Sequence, residues 1–93
     1  MGKPITSVLE FEAIIDQSIL KLDKFLYERH RDPAVADARR TLGKIRALSK
    51  ESDKVKAQRD ALQKVADTVS EKVSDDELQS DMWDLLDYVD YRC

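Results

Sequence analysis

The chain has 93 residues, of which 42% are hydrophobic and 38% charged, with a net charge of −3 and only two Gly, two Pro, one His and one Cys. A chain of this length makes one domain with one modest core, burying roughly two-thirds of the surface it exposes when unfolded. So few turn formers argue against sheets, a single cysteine excludes an internal disulfide, and there is no apolar run near the roughly 18 residues that a membrane span needs.

The first predicted helix starts at a capping box, Ser7 followed by Glu10, in which each side chain can satisfy a free backbone N–H of the first turn. Val8, Phe11, Ile15, Ile19, Leu22 and Leu26 then recur in steps of three or four and form one core stripe. Asp32-Pro33 ends this helix and starts the next, with Asp32 as N-cap, because proline disfavours helical geometry in the residue before it and fits the first helical position. Val35, Ala38, Leu42, Ile45 and Leu48 carry the second helix. Gly43 within it costs about 1 kcal/mol relative to alanine, which the close approach of a neighbouring helix would explain.

Ser49, Ser52 and Asp53 can bond their own backbone and favour a turn between the second and third helices. A continuous helix over 33–73 is the competing arrangement, because Leu48, Val55, Leu62 and Val69 keep a seven-residue step. The third helix runs through Leu62, Val65, Ala66 and Val69 to Ser74. Ser74 and Glu77 read as a second capping box, with Val73 and Leu78 as its hydrophobic staple. Leu78, Met82, Leu85 and Val89 form the stripe of the last helix, with Leu86 beside it. The expected fold is all-α, an antiparallel up-and-down bundle of three or four helices at about 7–31, 33–49, 53–73 and 75–91, in a single domain over 1–93. The single cysteine and the lack of an apolar leader make a cytoplasmic location the expectation.

Reactive groups are too few for an enzyme, and no catalytic residue, cofactor or metal site is assigned. His30, in Glu28-Arg29-His30-Arg31-Asp32, sits where a helix C-terminus favours a cation, and it reads as a cap or a solvated residue. One His and a terminal Cys93 make a poor zinc site, and a terminal thiol is hard to hold for nucleophilic attack. Asp81, Asp84, Asp87 and Asp90 recur every three residues and so drift around their helix, as solvating groups do. The EF-hand pattern, the Glu-x-x-His pairs of a carboxylate-bridged metal bundle and a Gly-rich phosphate loop are all missing. The start Met1-Gly2-Lys3 fits a myristoylation pattern only poorly.

What remains is surface. Residues 39–64 carry nine Lys/Arg against three acids, a net of +6, and residues 74–93 carry seven acids against Arg92, a net of −6. The two segments either attract each other within the fold or face partners of opposite sign. Leu9, Ala13, Leu20 and Tyr27 fall well away from the core stripe of the first helix, so a second apolar face must meet either another helix of the bundle or another molecule. Trp83 lies about a third of a turn from its own stripe and poses the same choice.

The expected function is therefore a non-enzymatic protein–protein interaction module: an adaptor, inhibitor, immunity-type protein or small chaperone. Its partner-binding residues would be Leu9, Leu20, Tyr27, Trp83, Asp84, Asp87, Tyr88 and Tyr91, and its partner a basic protein or a second copy of the chain. The alternative is nucleic-acid binding through the basic segment, with Lys50, Lys54, Lys56 and Arg59 at its centre. That segment lacks aromatic residues for base stacking, so such binding would be electrostatic and salt-dependent.

Overall fold

In the chain's computed structural model, residues 5–28 and 32–92 are described, with the side chains of Ser52, Tyr91 and Arg92 excepted. His30, Cys93 and the Met1-Gly2-Lys3 start lie outside the described residues. Among the described residues there are five helices and no strands: α1 (Val8–Glu28), α2 (Pro33–Ala47), α3 (Ser52–Ala57), α4 (Arg59–Lys72) and α5 (Asp76–Arg92).

The helices start largely where short polar side chains cap them. At α1, Ser7 Oγ accepts the Glu10 amide at 3.2 Å, while the Glu10 carboxylate takes the Thr6 hydroxyl at 2.8 Å. The Ser7 half of the capping box thus forms, and the carboxylate satisfies a neighbouring hydroxyl. Asp32 caps α2 as expected, accepting the Ala34 amide at 2.8 Å. At α5 the cap is Asp75, one residue later than the sequence suggests, with its carboxylate accepting the Leu78 amide at 3.0 Å. A carboxylate there also suits the positive end of the helix dipole. Glu77, expected to complete a box with Ser74, turns instead to Lys21 of α1.

The second and third predicted helices are separate, joined by a turn at Leu48–Lys50. Ser49 is buried in that turn and donates its hydroxyl to Glu12 Oε2 at 2.6 Å, which ties the turn to α1. The third predicted helix is itself broken at Gln58 into α3 and α4. The sequence step from Val55 to Leu62 conceals this break. Val55 is the one large apolar residue of its stretch, and it is buried on a short helix that packs against α5.

Arg39 pairs with Asp23 and Arg46 with Asp16, so α1 and α2 run antiparallel. Phe11 meets Tyr88 while Lys21 meets Glu77 and Asp81, so α1 and α5 are antiparallel as well. α4 packs between α2 and α5 on the far side of the bundle. The result is the expected up-and-down all-α bundle, with four sides and α3 and α4 sharing one of them. The stripes read from sequence meet at its centre: Phe11, Ile15, Leu22, Leu42, Ile45, Leu62, Val69, Leu78, Met82 and Leu85 are fully buried.

Gly43 departs from expectation. A Cβ built there meets nothing within 4 Å, so close helix packing does not account for it. Gly43→Ala should accordingly stabilise the protein by about 0.5–1 kcal/mol through helix propensity and a less flexible unfolded chain, a gain to be read in urea melts. A loss of stability would mean that the position is crowded after all.

Candidate interaction surfaces

On α1 the buried Phe11, Ile15, Ser18 and Leu22 define one side, and at about 100° per residue Leu9, Ala13, Leu20 and Tyr27 centre about 165° away. The fold leaves that second face uncovered: Leu9 is 76% exposed, Leu20 68% and Tyr27 91%. Its neighbours within the bundle take up the flanks instead. On the α2 flank, Arg46 Nε donates to Asp16 at 2.6 Å and Arg39 Nε to Asp23 at 2.8 Å. On the α5 flank, Lys21 donates to Glu77 at 2.7 Å and stands 3.6 Å from Asp81.

The aromatic residues of α5 part company. Trp83 is 47% exposed. Tyr88, grouped with it from sequence, is instead 6% exposed, its ring tilted at 30° against Phe11 with centroids 4.8 Å apart. That packing makes it a core residue. The side chain of Tyr91 lies outside the described ones. Asp84 is half-buried and Asp87 exposed.

Trp83 does not join the outer face of α1. It lies about 160° around α5 from Asp81, which faces α1, and within about 20° of Asp90, which receives Arg59 of α4. The single aromatic surface expected across the first and last helices is therefore two surfaces on different sides of the bundle. The angular offset of Trp83 is visible in the sequence, but which flank α1 occupies is not.

The basic segment is partly consumed inside the fold. Arg59 holds Asp90 in a two-pronged pair, with Nε–Oδ1 at 2.5 Å and Nη2–Oδ2 at 3.1 Å. That hydrogen bond and the nearby positive charge hold the Asp90 carboxyl below its ordinary range. Lys50, Lys54 and Lys56 are exposed, Lys54 lying 3.6 Å from Glu51. The basic and acidic segments do attract each other at Arg59–Asp90. Arg39 and Arg46, however, turn to acids of α1, while Glu77 and Asp81 turn to Lys21 of α1. Such exposed pairs each contribute on the order of 0–1 kcal/mol and chiefly set which helix lies beside which.

Burial, followed by the like charge of Asp87, raises the Asp84 carboxyl above its ordinary 3.8. A raised folded-state pKa means that ionising Asp84 works against folding. Its penalty is absent below the unfolded value and grows as pH rises through the folded one. Asp84→Asn should therefore gain stability over the parent between about pH 3 and about pH 7 in paired urea melts. Parallel pH profiles for the two proteins would contradict this.

Among the described residues, no group of three His, Cys, Asp or Glu side chains could hold a metal ion. A shallow furrow of about 290 Å³ between α2 and α4 has Asp37, Thr41, Lys64 and Thr68 around Ala38 and Val65. No described helix is long and apolar enough to cross a membrane. No family model, curated protein or solved structure matches the chain.

Proposed function

We propose that this protein is a non-enzymatic interaction module that presents the outer face of α1 to a protein. The carrying observation is the exposure of Leu9, Leu20 and Tyr27 on the side of α1 opposite the core. Scattered single apolar residues on a surface need no explanation, but three aligned on one helix face form a ready contact strip. An aromatic anchor with charged neighbours is the usual makeup of a binding hot spot. A cytoplasmic setting belongs to the same reading and rests on the single cysteine of the sequence.

A photo-crosslinking side chain placed at Leu20 in the native host tests it. The expected result is a trapped protein, another one or a second copy of this chain, with no product from the same group placed at Asp67 on the exposed side of α4. Equal trapping from both positions, or none from Leu20, would overturn the proposal.

A further inference from the structure

We infer that the outer face of α1 pairs with the same face of a second copy of this chain, the two helices antiparallel and each Glu10 meeting Lys24 of the other copy. The inference rests on the reading above that this face is a contact surface, and it names the occupant.

Leu9, Ala13, Asp16, Leu20, Asp23 and Tyr27 alternate in steps of four and three, which is the spacing of a coiled-coil seam. The two acids in that seam are already neutralised, since Asp16 leans to Arg46 and Asp23 to Arg39, so they offer little repulsion to a like surface. The opposite edge of the seam carries Glu10, Gln17 and Lys24, seven residues apart. In an antiparallel pair that edge faces its own reversed copy. Glu10 then faces Lys24, Gln17 faces Gln17 near the two-fold axis, and Lys24 faces Glu10. The same register sets Leu9 against Tyr27 of the other copy and places Leu20 close to the axis. A parallel pair would turn this edge toward the one bearing Glu12, Ile19 and Leu26, where the reciprocal match is lost.

From Leu9 to Tyr27 the seam is about 27 Å long. One helix strip of that length buries less than the roughly 1,200 Å² of a standard interface, so the dimer forms reversibly and at high concentration.

Sedimentation equilibrium of the full chain from about 10 µM to about 1 mM tests the inference. The expected mass rises from 10.7 kDa toward twice that value. Glu10→Lys and Lys24→Glu each place like charges at both ends of the seam, and each should weaken association about 3- to 10-fold. Mixing the two variants should restore it. Across the heterodimer the two introduced charges oppose each other, while the unaltered Lys24 of one variant faces the unaltered Glu10 of the other. Melting curves run alongside, since Glu10 also holds Thr6. If Glu10→Lys alone unfolds, the test passes to Lys24→Glu, expected to weaken association about 3- to 10-fold, against Lys24→Arg, which keeps the charge and should leave association unchanged. A parent chain that stays monomeric throughout, or variants that complementary charges fail to rescue, would overturn the antiparallel dimer. If a monomeric chain still traps a different protein from Leu20, only the identity of the occupant fails. If it traps nothing, the contact-surface reading fails with it.

Discussion

Phe11→Ala is expected to destabilise the protein by about 3–5 kcal/mol, the cost of deleting a large buried aromatic side chain. Phe11 is fully buried near the start of α1, and its ring packs on Tyr88 near the end of α5. The substitution removes both the burial and an aromatic pair worth about 0.5–1.5 kcal/mol beyond it. Small domains have only about 5–15 kcal/mol of total stability. For a chain of this size, each kcal/mol shifts Tm by about 4–8 °C, so a fall on the order of 20 °C is expected in circular dichroism melts. Tyr88→Ala should fall in the same range, whereas Trp83→Ala should lie well below it. A Phe11→Ala melt within about 5 °C of the parent would mean that α5 does not lock onto α1 through this pair.

Leu20→Asp should do the opposite, abolishing association while leaving the fold intact. Leu20 is 68% exposed at the middle of the α1 face, so a polar replacement loses little burial and should cost only about 1 kcal/mol, through helix propensity and the like charges of Asp16 and Asp23. At a contact hot spot, loss of the anchor costs about 2 kcal/mol or more, which is roughly a 30-fold weaker complex, and a desolvated carboxylate adds to that cost. The two readouts belong on one preparation: a melt for the fold and crosslinking or sedimentation for the contact. A melt that collapses together with binding would show that Leu20 supports the core. Unchanged association would show that the contact lies elsewhere, with Trp83 as the next exposed anchor to replace.

The asymmetry between these two residues is already present in their spacing. Phe11 belongs to the run with Ile15 and Leu22, and Leu20 to the run with Leu9, Ala13 and Tyr27. A regular helix turns each run into a face, because every residue advances by a constant angle. The same local logic places Asp32 at the α2 cap and separates α2 from α3. It misassigns the α5 cap by one residue, since Ser74 and Asp75 are both competent caps and the difference lies in which backbone the packed helix presents.

Periodicity thus specifies α1, α2 and α5, the core stripes and the existence of a second apolar face on α1, all of which are consequences of geometry within one segment, but its seven-residue step from Val55 to Leu62 runs across the break at Gln58. It cannot say whether that face would meet another helix, that Trp83 and Leu20 would end on different sides of the bundle, or that Tyr88 would close on Phe11. Nor can it show that Arg39, Arg46 and Arg59 would be taken by Asp23, Asp16 and Asp90. Those outcomes depend on which helix lies on which flank. Neighbour relations arise from packing whole helices around one core, where residues far apart in the chain compete for the same partners.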